Sequence, residues 1–166
     1  MTLPPAPRDT CGPLPGVRVA VALGSNLGDR RAHLEAASAR LGSLLENLER
    51  SSLVETEAVG VGCQPRYLNG AVAGFTRLGA RDLLDALLAI EREGGRERPF
   101  AGAPRTIDLD LILYGSAVID QPGLVVPHPR FRERRFVLEP LAEVAGDLVD
   151  PVTGLTVREL LQRLGG

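Results

Sequence analysis

The sequence predicts an α+β fold with a mainly antiparallel sheet, and two observations carry that expectation. Stretches with period-two alternation and stretches with apolar residues three and four apart follow one another as strand, helix, strand, strand, helix, strand, then short helices. The last strand, Ile107 to Tyr114 closed by Gly115, alternates in an unusual way: Asp108 and Asp110 fall on one face, and Ile107, Leu109, Leu111 and Leu113 on the other. The order is the β-α-β-β-α-β plan of a ferredoxin-like sandwich, with elaborations at the C-terminus. Many unrelated functions use that plan, so function has to be argued from the site.

Residues 1–16 carry Pro4, Pro5, Pro7, Pro13 and Pro15 without apolar periodicity and read as a mobile tail, leaving 17–166 as a single domain. Val17–Leu23 is a compact apolar strand. The turn Gly24-Ser25-Asn26-Leu27-Gly28-Asp29 leads from it into a helix expected from Arg30 to about Leu48, with Leu34, Ala37, Leu41, Leu44, Leu45 and Leu48 on its apolar face and Asn26 or Asp29 as cap. Such a turn can cradle an anion, but G-S-N-L-G is neither a dinucleotide fingerprint nor a phosphate loop, and a plain tight turn explains it as well.

Ser51–Glu57 reads as a second strand and Leu68–Thr76 as a third, joined by a glycine-rich loop and Pro65-Arg66-Tyr67. Tyr67 and Asn69 share parity, which puts an aromatic ring beside an amide that both donates and accepts, a pairing suited to a flat heterocycle. Ala80–Glu93 is the second helix. Gly94 to Pro104 is then a long polar connection whose Arg96 and Arg98 fit an arm that orders over an anion, although a merely solvated loop has the same composition. Phe136–Glu143 reads as an apolar helical turn, and Thr156 as the cap of a last helix Val157–Leu164.

The chemistry concentrates in two places. Asp108 and Asp110, with Cα atoms roughly 6.5 Å apart, can converge on one cation or a close pair, and Mg²⁺ takes one or two carboxylates and completes its shell with water and phosphate oxygens. Arg105 just ahead of them could hold a further anionic oxygen. The second place is Val125-Val126-Pro127-His128-Pro129-Arg130-Phe131-Arg132-Glu133-Arg134-Arg135-Phe136, the densest positive charge in the chain. Each has an ordinary reading, solvated acids on a half-exposed sheet and a basic helix start. A phosphate chain held between metal and guanidinium groups explains both at once.

Composition narrows the classes further. At 166 residues, 44% hydrophobic, 24% charged and net charge −2, the chain is an ordinary soluble domain with no signature of nucleic-acid or membrane binding. No apolar run is long enough to span a bilayer and no signal peptide is evident, so the expected location is cytoplasmic. Cys11 and Cys63 form no metal-binding or redox spacing. All 19 basic residues are arginine, which excludes a Walker phosphate loop, a protein-kinase strand lysine and a pyridoxal Schiff base.

The motifs G-S-N-L-G-D (Gly24–Asp29), Q-P-R-Y-L-N (Gln64–Asn69), A-P-R-T-I-D-L-D-L-I-L-Y-G (Ala103–Gly115) and V-P-H-P-R-F-R-E-R-R-F (Val126–Phe136) resemble, in order and spacing, the 6-hydroxymethyl-7,8-dihydropterin pyrophosphokinases of folate biosynthesis. The resemblance runs from Val17 to the C-terminus. It implies a ferredoxin-like α/β/α sandwich and transfer of the β,γ-diphosphate of ATP to the pterin hydroxymethyl group, releasing AMP. It also implies two Mg²⁺ ions on Asp108 and Asp110, and a pterin ring between Tyr67 and Phe136 with contacts from Asn69 and Thr56. Glu91, Arg105, His128 and Arg134 correspond to nucleotide- and phosphate-binding positions, and Arg96 and Arg98 to arginines of a catalytic loop. The tryptophan that many members carry in that loop is absent, Gly102-Ala103 standing in its place. No obligatory protein partner is implied.

Two other readings fit parts of the sequence. A nucleotidyltransferase also uses a Gly-Ser turn and a D-x-D strand, but there only a short helix separates them, whereas here about eighty residues intervene. A non-enzymatic ligand-binding module of the same fold leaves the match between acids and arginines unexplained.

Overall fold

Central to the structure, a computed structural model describing residues 16–57, 66–94 and 106–165, is one antiparallel sheet. Its strands are β1 (Val17–Ser25), β2 (Glu46–Arg50), β3 (Val54–Thr56), β4 (Tyr67–Thr76) and β5 (Asp108–Tyr114). They lie in the order β2-β4-β1-β5, with β3 continuing the β2 side against β4. Helices α1 (Arg30–Leu41) and α2 (Ala80–Glu93) cover one face, and α3 (Arg135–Ala145) and α4 (Val157–Arg163) the other. This is the α/β/α arrangement that the sequence predicts.

The two faces differ in side-chain size. Toward α1 and α2 the sheet presents Val19, Val21, Leu23, Leu109 and Leu111, which pack on Leu34, Leu41, Leu83 and Leu87. Toward α3 it presents Ala20, Ala22, Ala71 and Ala73, and the bulk comes instead from Phe131, Leu138, Leu141 and Val157. A strand surface of alanines lets a helix approach closely, and α3 is seated there with Leu138 and Leu141 fully buried.

Three elements depart from the sequence expectation. The first helix stops at Leu41, not near Leu48: Gly42 is its C-cap and still donates to Ser38 O, and Asn47 adopts a positive φ of 53° as the chain turns into β2. Leu45 is still buried and Leu44 and Leu48 still pack on the core, so a turn and strand satisfy the same apolar spacing that a longer helix would. The expected strand Ser51–Glu57 narrows to Val54–Thr56. Its lead-in is held by side chains, with Glu143 of α3 accepting from Ser52 N–H (3.0 Å) and the Ser52 hydroxyl (2.7 Å).

In β5 the register against β1 shifts between Ala20 and Val21, so Leu113 pairs with Ala20 and Leu111 with Val21. Ile112 is the extra residue of a bulge. Leu113 therefore lies with Ile112 on the α3 side, not with Leu109 and Leu111. A short hairpin, β6 (Ile119–Gln121) and β7 (Leu124–Val126), follows β5 and turns through Gly123 at φ 78°.

Capping follows local chemistry. Asp29, not Asn26, caps α1 by accepting from Ala32 N–H (3.1 Å), and Thr156 with Glu159 forms a reciprocal capping box on α4. The proline-rich tail at 1–15 lies outside the described residues.

Between α3 and α4, Asp150 is fully buried and saturated with donors. Arg132 approaches it with Nε (2.5 Å) and a terminal nitrogen (2.9 Å), and Val152 N–H (3.0 Å) and the Thr153 hydroxyl (2.7 Å) take the remaining acceptor positions. Burial alone would raise the carboxyl pKa, but these hydrogen bonds and the guanidinium charge hold it down at about 2. A depressed carboxyl pKa contributes stability above the unfolded value of 3.8 that fades as pH falls toward the folded value. In urea unfolding, Asp150→Asn should cost about 3 kcal/mol at pH 7. The gap from wild type should narrow by about 1 kcal/mol between pH 5 and pH 3, and a gap independent of pH would show that the pair does not set the carboxyl pKa.

Candidate active site

β1, β4, β5 and the start of α3 enclose an open cleft of about 450 Å³ on the alanine side of the sheet. The pairing of β5 with β1 places Asp108 opposite Gly24 and Asp110 opposite Ala22. Both acids line the cleft, and both face the smallest residues of the neighbouring strand. The peptide between them is held from behind: Leu109 N–H donates to Glu91 Oε2 at 2.7 Å, and Glu91, in the last turn of α2, is 2% exposed. Glu91 is therefore beneath the acid-bearing strand and is not among the cleft-lining residues.

Across the sheet, β4 supplies Tyr67 and Asn69, both in the cleft wall, while Leu68 between them turns into the α1–α2 core. Thr56 pairs with Tyr67 across the β3–β4 ladder. Its hydroxyl accepts from the Asn69 amide nitrogen at 2.6 Å, which fixes the rotation of that amide. Gly24 underlies this group: a Cβ there would lie 3.2 Å from Asn69 Oδ1 and 3.4 Å from Tyr67 Cδ1. Outside the ladder, Arg30 ties its open end to α1, with Glu55 at 2.7 Å and Arg66 O at 2.8 Å.

The remaining wall is basic. Arg130, Arg134, Arg135 and Phe136 line the cleft, and the Arg134 guanidinium lies 5.7 Å from the Phe136 ring centroid. The N-terminus of α3 has no side-chain cap and no acid in its first turn, so helix dipole and arginines reinforce one another as a positive field. His128 is anchored by its N–H to Ile112 O (3.0 Å) and its Nδ1 accepts from Arg130 N–H (3.2 Å), which leaves the ring proton on Nε2. Burial, then the charges of Arg134 and Arg130, pull the His128 pKa below 6.5, and Asp108 only partly opposes them. A neutral imidazole donating from Nε2 follows.

Of the residues singled out from the sequence, Thr56, Tyr67, Asn69, Asp108, Asp110, Arg134 and Phe136 converge on the one cleft, with His128 beside it and Glu91 behind it. Arg96, Arg98 and Arg105 lie outside the described residues. The cleft also includes Glu57 and Glu133, for which the sequence carries no signal, and Gly24, Arg130 and Arg135, which the sequence places in the G-S-N-L-G turn and the arginine cluster without marking them individually. For Gly24 the signal was present in G-S-N-L-G but was compatible with an ordinary turn.

Residues 20–146 match the sequence profile of the 7,8-dihydro-6-hydroxymethylpterin-pyrophosphokinases. The chain belongs to this family. A Pseudomonas aeruginosa relative, 2-amino-4-hydroxy-6-hydroxymethyldihydropteridine pyrophosphokinase, is 46% identical over 146 residues, covering 87% of this chain and 90% of its own. Its Synechocystis namesake is 43% identical over 87% of this chain and 74% of its own. The crystal structure of wild-type Plasmodium falciparum HPPK-DHPS superposes with a TM-score of 0.70 over 92% of this chain. It is 13% identical, which supports a shared fold alone, and this chain spans 45% of that longer protein.

The packing at Gly24 makes that position a sensitive probe of the cleft. Gly24→Ala should leave the melting temperature within a few degrees of wild type, while displacing the Asn69 amide by a few tenths of an ångström and bringing the new methyl into contact with the Tyr67 ring. The KM for the pterin should rise about tenfold with that for ATP nearly unchanged, as read in steady-state kinetics.

Proposed function

We propose that this chain transfers the diphosphate of ATP to the hydroxymethyl group of 6-hydroxymethyl-7,8-dihydropterin, giving AMP and the pterin diphosphate in folate biosynthesis. The observation that carries the assignment of roles is the placement of Asp108 and Asp110 across one cleft from the arginine-bearing start of α3, with Tyr67 and Phe136 in the same walls. The residues fit Mg²⁺. Two carboxylates line the cleft beside Gly24 and Ala22, and among the described residues no group of three His, Cys, Asp or Glu forms around them, a donor set that suits a cation completing its shell with water and phosphate oxygens. Asp108 and Asp110 would hold the metal, two ions in this reading, whose chemistry is to neutralise polyphosphate charge.

The pterin ring stacks between Tyr67 and Phe136, and Asn69, its rotation set by Thr56, reads the amide-like edge of the heterocycle. This orients the hydroxymethyl oxygen toward the β-phosphorus. A new oxygen–phosphorus bond forms there, the bond from that phosphorus to the bridging oxygen of AMP breaks, and the hydroxyl proton is released. Arg134, neutral His128 through Nε2–H, and Arg105 bind phosphate oxygens, while Arg96 and Arg98 stabilise charge that develops on the leaving oxygen. Glu91 serves the nucleotide side from behind β5, through the peptide it holds between the two acids. Catalysis is positional and electrostatic, with no strong base required. The same reading places the activity in the 17–166 domain, with 1–16 outside it, and in the cytoplasm where ATP and Mg²⁺ are supplied.

Incubating the protein with ATP labelled in the γ-phosphate, Mg²⁺ and the pterin should yield AMP and labelled pterin. Label in free pyrophosphate would indicate nucleotidyl transfer instead. Asp110→Ala should reduce AMP formation about a thousandfold or more with the circular-dichroism spectrum unchanged, and near-normal turnover would remove this carboxylate from the mechanism. Arg96→Ala should lower kcat more than it weakens pterin binding by calorimetry; a loss confined to binding would contradict a role in the transition state.

A further inference from the structure

Four arginines crowd the stretch from Arg130 to Arg135, yet they do not all face the cleft. Arg130, Arg134 and Arg135 line it. Arg132 turns the other way, lies 4.9 Å from the Phe131 ring centroid, and closes a two-pronged contact on the buried Asp150. Between them lies a single tight turn, Phe131–Glu133, whose backbone bonds run from Phe131 N–H to His128 O, Glu133 N–H to Arg130 O and Arg134 N–H to Phe131 O. The turn is thus continuous with His128 at one end and with the first residues of α3 at the other.

Two attachments fix this turn to the rest of the fold: the Phe131 ring in the core, and the Arg132–Asp150 fork. A ring in an apolar pocket sets depth. A planar guanidinium on a carboxylate that is itself held by Thr153 and Val152 also sets rotation. Rotation is what decides whether Arg130 and Arg134 point into the cleft or away from it. The fork also removes one cation from the cluster; of the others, Arg130 lies 3.8 Å from Glu133 and Arg135 3.2 Å from Glu139, both exposed pairs that solvent screens.

We propose that Asp150 is a positioning residue for ATP: through Arg132 it holds the turn that aims Arg130 and Arg134 at the polyphosphate, although Asp150 itself touches neither substrate. The proposal rests on the function assigned above. Its effect falls on the nucleotide end of the cleft: Thr56, Tyr67 and Asn69 are carried by the β3–β4 ladder, and Phe136, although it follows the turn, is packed against the core as part of α3.

The test compares wild type, Asp150→Asn and Arg132→Lys at a temperature where all three remain folded by circular dichroism. Binding of Mg²⁺ with α,β-methylene-ATP and, separately, of 6-hydroxymethylpterin is measured by calorimetry, alongside kcat and both KM values. Asp150→Asn should weaken the nucleotide analogue and lower kcat by about tenfold each, leaving the pterin dissociation constant within about twofold. Arg132→Lys, which keeps the charge but loses the fork, should shift the same parameters in the same direction by a smaller factor. Equal losses for both ligands, or a lowered melting temperature with unchanged binding and kcat, would overturn the proposal and leave Asp150 as a stability element. Wild-type protein that makes no AMP would overturn the functional reading and this proposal together, whereas normal wild-type turnover with unaltered variants would overturn this one alone.

Discussion

The register of β5 on β1 is the constraint from which the site follows. Leu109 and Leu111 lie opposite Leu23 and Val21 in the core, and that pairing sends Asp108 and Asp110 outward over Gly24 and Ala22. Sliding by one residue would drive both carboxylates into the apolar layer under α1 and α2, where desolvation is prohibitive. The interaction that builds the core therefore also aims the acids. Glu91 adds a second restraint at Leu109 N–H, so the pair sits on a strand held both across the sheet and from behind.

Opposite charge reaches those acids because the sheet is unequal on its two sides. Alanines at 20, 22, 71 and 73 bring α3 down onto β1 and β4, and its uncapped start arrives at the rim of the cleft with Arg134 and Arg135. Cations at the positive end of a helix are locally unfavourable. An anion relieves the arrangement, and under the proposed function a polyphosphate is such an anion.

Much of this was legible in the amino-acid sequence. Period-two alternation put the two aspartates on one face, and the parity of Tyr67 and Asn69 put those two in one wall. Where the reading failed, a local pattern had two physical solutions. The spacing of Leu41, Leu44, Leu45 and Leu48 fits helix or turn-and-strand equally, and only the pairing of β2 with β4 decides between them. Strict alternation cannot foresee a bulge, so Leu113 was placed on the wrong side. The arginine cluster and the G-S-N-L-G turn stood out in the sequence, but which of their members face the cleft, Gly24, Arg130 and Arg135 among them and Arg132 not, is tertiary information.

Every basic side chain in the described cleft wall is a guanidinium, in a chain that contains no lysine. Guanidinium keeps its charge throughout the range in which proteins fold. Lysine acylation, which silences ammonium-based phosphate sites, finds no side chain here to react with. The positive charge of the cleft wall is therefore insensitive to that chemistry.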